Sequence, residues 1–247
     1  DSSEDADDDN DGVVDANDAC SAYTSDLGWT SNSQTDYDSD GCRDSTEDTD
    51  DDNDGVSDVD DACSAGDLGW ISTSANDYDS DGCRDSTEDT DDDNDGVADL
   101  FPDLCQTGNL GWISTTATDY DGDGCQDSTE DIDDDNDGIV DASDSCQTGN
   151  LGWTSTTATD NDGDGCQDIS EDTDDDDDGV SDANDLCPTG NLGWTSTTVT
   201  DYDSDGCHDS LEDNDDDNDG VADLFPDLCS KGDLGWTSTS ATDNDGD

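Results

Sequence analysis

A twelve-residue acidic loop recurs twice in every repeat of about 41 residues along this chain of 247. One copy runs D-Y-D-S-D-G-C-R-D-S-T-E from Asp36 to Glu47. Its oxygen-bearing side chains fall at loop positions 1, 3, 5, 9 and 12, as Asp36, Asp38, Asp40, Asp44 and Glu47. Gly41 stands at position 6, where so short a loop must turn sharply, and the backbone carbonyl of Cys42 falls at position 7. This is the ligand order of an EF-hand loop, which surrounds a calcium ion with about 6–8 hard oxygens. The expected fold is therefore built on ions.

Composition supports that expectation by removing the usual alternative. Leu, Ile, Val and Phe supply 28 of the 247 residues, and 77 Asp and Glu against three Lys and Arg give a formal charge of -74. Such a chain is ordinarily disordered. Its apolar burial cannot offset roughly 1–2 kcal/mol of backbone entropy per ordered residue. Metal ions and disulfides are the two remaining sources of order. With only Arg43, Arg84 and Lys231 as basic residues, no patch exists for nucleic acid, and the charge repels anionic lipid. No apolar run approaches the 18 or so residues of a membrane span.

Six tryptophans, Trp29, Trp70, Trp112, Trp153, Trp194 and Trp236, stand 41 or 42 residues apart. Such a period marks a tandem array whose units contact mainly their neighbours. The repeats are read as 1–43, 44–84, 85–126, 127–167, 168–208 and a truncated 209–247. An acidic loop is interrupted at each end, which suggests a window on a longer array. Within a repeat, one acidic loop is followed by a cysteine and G-x-L-G-W, then a Ser/Thr tract, then the second acidic loop with its own cysteine. No helical period is visible, and Gly and Asp punctuate every segment. The expected fold class is irregular, with little regular secondary structure. It is a linear tandem array of calcium- and disulfide-stabilised repeats forming an extended rod or filament.

The loop described above, here the cysteine loop, has further copies. They are Asp77, Asp79, Asp81, Asp85 and Glu88 with the Cys83 carbonyl, and Asp119, Asp121, Asp123, Asp127 and Glu130 with that of Cys125. Two more use Asp160, Asp162, Asp164, Asp168 and Glu171 with Cys166, and Asp201, Asp203, Asp205, Asp209 and Glu212 with Cys207. A last one begins at Asp243, Asp245 and Asp247. The second type, the valine loop, opens with Asp7, Asp9, Asp11, Asp15 and Asp18 around the Val13 carbonyl. It recurs as Asp50, Asp52, Asp54, Asp58 and Asp61 with Val56, and as Asp91, Asp93, Asp95, Asp99 and Asp103 with Val97. The fourth copy is Asp133, Asp135, Asp137, Asp141 and Asp144 with Ile139. The fifth is Asp174, Asp176, Asp178, Asp182 and Asp185 with Val180, and the sixth is Asp215, Asp217, Asp219, Asp223 and Asp227 with Val221.

An extra residue in L-F-P-D moves Asp103 and Asp227 to position 13, so those two sites are expected to be distorted or to recruit another ligand. The spacing predicts about two calcium ions per repeat. Glu47 lies three residues before Asp50, so the two ions are close neighbours, with Asp48 or Asp51 bridging them or holding a third.

The acidic loops resemble thrombospondin type 3 repeats, most closely in D-D-D-N-D-G-V-V-D-A-N-D-A-C from Asp7 to Cys20. The L-G-W and Ser/Thr segment departs from that family, and the whole unit resembles repeats in surface proteins of aquatic archaea and bacteria. The flanking helices of a true EF-hand are missing. The resemblance implies a calcium-dependent extracellular rod or spacer and names no partner.

Eleven regularly spaced cysteines, with no C-x-x-C and a single histidine, suggest disulfides in an oxidising compartment over a zinc site. Pairing within repeats joins Cys20 to Cys42 and so on, leaving Cys229 for a partner beyond residue 247; pairing between repeats joins Cys42 to Cys63. The first is preferred, because it staples the L-G-W segment, which holds no complete acidic loop. Each Trp, with the Leu two residues before it, is expected to form a miniature core, the alternative being an exposed sugar or partner platform. The Ser/Thr tracts are candidates for O-linked glycans, for example at Thr115, Thr116 and Thr118. His208 stands where other repeats have Arg or Gln and is read as a surface position.

The leading functional reading is a segment of an extracellular or cell-surface fibre, stalk or adhesin spacer whose main partner is itself, in a longer array or filament. The alternatives are a binding module that presents Trp or acidic faces to glycans, a cell surface or mineral, and a calcium buffer. Catalysis is the least supported, because the carboxylates are committed to metal and no concave core is available.

Overall fold

The computed structural model describes residues 5–21, 28–224 and 227–243. Among them the sole regular element is one 3-10 turn, Asp141–Ser143. The cause is local. Asp and Ser side chains offer nearby backbone N–H groups an alternative to helix or ladder bonds. The chain divides into two compact units, Asp1–Glu130 and Asp131–Asp247. Each consists of irregular repeats stapled by disulfides.

Both loop types share one backbone path. Positions 4 and 6 lie in the left-handed region, as Asn53 (φ 57°) and Gly55 (φ 98°) in a valine loop, and Ser80 (φ 67°) and Gly82 (φ 87°) in a cysteine loop. Asn tolerates that region better than most residues, and Gly enters it freely. Side chains then hold the turn. In the valine loop the Gly55 N–H donates to Asp50 Oδ2 (3.1 Å), the Asp54 N–H to Asp52 Oδ1 (3.2 Å) and the Val56 N–H to Asp54 Oδ1 (2.7 Å). The Asp51 N–H donates to Asp58 Oδ1 (2.9 Å), which folds position 9 back onto position 2.

The largest fully buried side chains are aspartates, among them Asp11, Asp36, Asp54, Asp95, Asp137 and Asp178. Among the described residues the buried apolar ones are Trp70 and six cysteines, Cys20, Cys42, Cys83, Cys125, Cys166 and Cys207. The interior is thus carboxylate and disulfide, as so apolar-poor a composition requires.

The disulfides pair within repeats: Cys20–Cys42, Cys63–Cys83, Cys105–Cys125, Cys146–Cys166 and Cys187–Cys207. Closing about 20 residues stabilises the fold by about 3 kcal/mol in the chain-entropy picture. Inside each closed loop the Ser/Thr tract ties the two acidic loops together. The Ser72 N–H donates to the Asp54 carbonyl (2.8 Å), and its hydroxyl donates to Asp77 Oδ2. Ser155 does the same with Asp137 (2.8 Å) and Asp160 (2.5 Å). Of the threonines read as glycan candidates, Thr115 and Thr118 bond each other through their hydroxyls (2.9 Å), while Thr116 is exposed.

Neighbouring repeats are joined by tyrosine. The Tyr37 hydroxyl donates to the Gly66 carbonyl (2.9 Å), Tyr78 to Gly108 (2.8 Å) and Tyr202 to Gly232 (2.8 Å).

Two expectations about the L-G-W segment are corrected. Trp70 is buried and the other described tryptophans are half-buried, but their leucines do not join them: Leu68 and Leu192 are each 51% exposed. Two of the indoles pack against the residue that follows the second cysteine. Arg84 lies over the Trp70 ring at 5.9 Å, and the His208 ring meets Trp194 edge-on at 4.7 Å. His208 is therefore half-buried against an indole, not a surface position. Arg, Gln and His interchange there because each offers a flat polar group that can cover a ring while its edge stays wet.

Candidate metal centres

The repeating turn brings its carboxylates together. Oxygens of Asp7, Asp9 and Asp11 lie within 4.8 Å of one another, as do those of Asp36, Asp38 and Asp40, of Asp50, Asp52 and Asp54, and of Asp77, Asp79 and Asp81. These are positions 1, 3 and 5 of both loop types. Two unit charges about 4 Å apart repel by about 4 kcal/mol at an effective dielectric of 20. Three together oppose folding by about as much as the 5–15 kcal/mol that holds an ordinary domain.

The donor set fits a hard divalent cation. The second oxygens of Asp54, Asp95, Asp137 and Asp178 are shielded from water and accept no hydrogen bond. So are the free oxygens at position 12, on Asp18, Asp61, Asp144 and Asp185. Buried oxygens of this kind are stable only beside a cation or a proton. All-oxygen carboxylate and carbonyl donors on a flexible turn suit calcium over zinc or copper. The acidic clusters and periodic disulfides together fit a calcium-binding, disulfide-stabilised repeat protein.

The structure redistributes the ligands expected at the loop ends. Glu88 closes the cysteine loop in sequence, yet its Oε1 accepts the Asp67 N–H (2.6 Å) in the L-G-W segment. A methyl placed on Gly66 would meet both Glu88 Oε1 (2.5 Å) and Asp52 Oδ2 (3.0 Å), so the glutamate faces the valine loop that precedes its own cysteine loop. Gly149, Glu171 and Asp135 repeat this arrangement in the second unit. The residue after the glutamate turns the other way. Asp48 faces Asp40 and Asp38, and Asp172 faces Asp164. Position 13 thus lies toward the cysteine loop, while position 12 is shared: Glu88 and Glu171 face the valine loop before them, and Glu47, Glu171 and Glu212 accept the position-8 N–H of their own loops (3.4, 3.4 and 3.3 Å).

The two lengthened valine loops keep their last carboxylate buried and bonded. Asp103 is 4% exposed and accepts the Cys105 N–H (2.7 Å), as Asp61 accepts that of Cys63 (2.6 Å). Asp227 is likewise buried and accepts the Cys229 N–H (2.6 Å). In the first of them the extra residue is taken up within the loop, at positions 10 and 11, where Leu100 and Phe101 are exposed and Phe101 has a φ of 23°. Asp243 keeps its position-1 bond from Ser238 (2.7 Å), while Asp245 and Asp247 lie outside the described residues.

Sequence reasoning named Asp48 only as a bridge or a ligand of a third ion, not as part of the cysteine loop, and gave position 4 no role. Both were legible as repeats: Asp follows the cysteine-loop glutamate every time, and position 4 is always Asn, Asp, Ser or Gly.

Burial is the main cause of raised carboxyl pKa values. It lifts Asp18, Asp61, Asp103, Asp144 and Asp185 to about 6, with neighbouring aspartates adding to the rise. It lifts Asp162 and Asp203 to about 7. A folded pKa above the unfolded one means that the folded chain holds protons more tightly. The stability of the calcium-free fold is then greatest in acid and falls as pH rises from about 4 through 7. Calcium competes with protons for the same oxygens, so its affinity falls as pH is lowered through that window. Circular dichroism should therefore show a calcium-free chain more ordered near pH 4 than near pH 8, and a calcium-loaded chain with the opposite trend. Superimposable pH profiles with and without calcium would count against metal at these carboxylates. No protein-family model and no curated protein matches this chain, so its reading rests on its own residues.

Proposed function

We propose that this chain is a calcium-built structural segment of an extracellular fibre, stalk or adhesin spacer, related in kind to thrombospondin type 3 repeats. The observation that carries the reading is the buried aspartate turn, repeated in register with a within-repeat disulfide. Five disulfides fit an oxidising compartment. Among the described residues no helix is long and apolar enough to cross a membrane. In this reading calcium supplies the cohesion that a hydrophobic core supplies elsewhere, and the repeats form a stiff, highly charged rod. Affinities of about 10⁻⁴–10⁻³ M suffice for such extracellular modules. In this reading the carboxylates hold metal, and none is assigned a catalytic role.

Small-angle scattering tests this directly. The calcium-loaded chain should give the profile of a rigid rod, and chelation should convert it to that of an expanded coil. A coil-like profile in both states would leave the disordered calcium buffer as the better reading.

One observation favours a second role as a binding module. A cleft of about 630 Å³ lies beside Trp70, lined by Asp38, Asp52, Asn53, Leu68 and Ile71. A similar cleft of about 620 Å³ lies beside Trp194. Saturable quenching of tryptophan fluorescence by added saccharides would support glycan binding there.

A further inference from the structure

A third group of carboxylates lies where one repeat meets the next, outside positions 1, 3 and 5 of either loop. Oxygens of Asp44, Asp48 and Asp51 lie within 4.8 Å of one another. Asp44 is position 9 of a cysteine loop, Asp48 follows that loop, and Asp51 is position 2 of the next valine loop. Asp58, at position 9 of that valine loop, also faces Asp51. Each position-9 carboxylate uses one oxygen to hold its own turn: Asp44 accepts the Tyr37 N–H (3.1 Å) and Asp58 the Asp51 N–H (2.9 Å). The shielded Asp48 Oδ2 and Asp51 Oδ1 accept no hydrogen bond, and the same holds for Asp89 Oδ2 and Asp92 Oδ1 one repeat later.

An acidic cluster alone would not identify a ligand. The final junction supplies the independent evidence. There Asp209, Asp213 and Asp216 occupy the equivalent places, and the Lys231 ammonium ion-pairs with Asp209 and lies 3.5 Å from Asp216 Oδ2. Lys231 stands where other repeats have Ala65, Thr107, Thr148 and Thr189, none of which carries charge. Asp216 is only 7% exposed, and its Oδ1 still accepts no hydrogen bond. A fixed cation thus sits in one copy of a site that elsewhere has the same carboxylates and no lysine.

We propose that the Asp44–Asp48–Asp51 junction and its lysine-free equivalents within each unit, Asp85–Asp89–Asp92 and Asp168–Asp172–Asp175, each bind a third hard divalent cation, calcium, and that Lys231 replaces that ion at the last junction. This rests on the calcium reading of the two loops. It gives the position-9 carboxylates a role between repeats, where an ion ties the end of one unit to the start of the next.

Native mass spectrometry of the full chain, titrated with calcium, counts the bound ions. Lys231→Thr should gain one ion over the parent chain. Thr107→Lys places an ammonium beside Asp85 and Asp92 and should lose one. Asp51→Asn alters a residue outside both loop ligand sets and should also lose one. If the parent binds calcium and all three variants keep its count, the junction site is overturned while the loop sites stand. If the parent binds no calcium, the reading of the loops fails as well.

Discussion

Chelating calcium from the intact chain abolishes backbone protection throughout the acidic loops, and hydrogen exchange read by mass spectrometry is the measurement that shows it. The N–H groups of Gly55 and Val56 are held only by the carboxylates of Asp50 and Asp54. Those carboxylates sit within 4.8 Å of each other and of Asp52. Without a cation their repulsion outweighs the few bonds they accept, and no apolar core keeps the turn closed. Protection should fall to that of an unfolded chain in both loops of every repeat. The segments inside the disulfides, such as 64–76, should open with them, because Ser72 is fastened to Asp54 and Asp77. Protection that survives chelation with the disulfides intact would show that calcium does not hold the fold.

The second large effect belongs to one glycine. Gly82 and Gly69 have nearly the same backbone, with φ of +87° and +82°. An alanine in that left-handed conformation costs roughly 1–2 kcal/mol wherever it stands. At Gly69 nothing lies within 4 Å of the added methyl, so Gly69→Ala should cost only that. At Gly82 the methyl would sit 2.1 Å from Asp61 Oδ1 and 2.4 Å from its carboxyl carbon. Asp61 must then leave, breaking its bond from Cys63 and removing position 12 of the valine loop. Displacing one member of a buried charged cluster costs roughly 3–5 kcal/mol. Gly82→Ala should therefore lower the bound-calcium count by at least one and deprotect residues 50–63, while Gly69→Ala leaves the count intact. Equal behaviour of the two variants would remove the proposed contact between the loops.

Much of the turn was legible in advance, and the reason is locality. Each acidic loop is a path of twelve residues whose bonds run from position to position within it. Spacing therefore suffices to place Asp50, Asp52 and Asp54 together, and Gly55 at the turn. Within-repeat pairing of Cys63 with Cys83 follows from the same economy, since it closes the one stretch without an acidic loop. Side chains that reach between loops were harder to place. Glu88 belongs to one loop by count and faces another in space, because its longer side chain spans to the L-G-W segment. Leu68 was expected beside Trp70, but the indole is covered by Arg84, whose partner lies 14 residues away in sequence. The lengthened valine loops were expected to be distorted or to recruit another ligand; in the first, Leu100 and Phe101 turn outward into solvent, Phe101 takes a φ of 23°, and Asp103 keeps its buried place.

The sequence by itself determined the period, the irregular backbone, the oxygen donors and the need for cations, because charge and spacing decide each of these within a dozen residues. The tertiary structure decided which loop each terminal carboxylate serves, and it set Lys231 against Asp209 and Asp216 at the last junction. Those assignments depend on side chains that meet across 14 to 30 residues of chain, as Gly66 meets Asp52 and Tyr78 meets Gly108. Spacing along the chain carries no information about them until the disulfides and turns have set the distances.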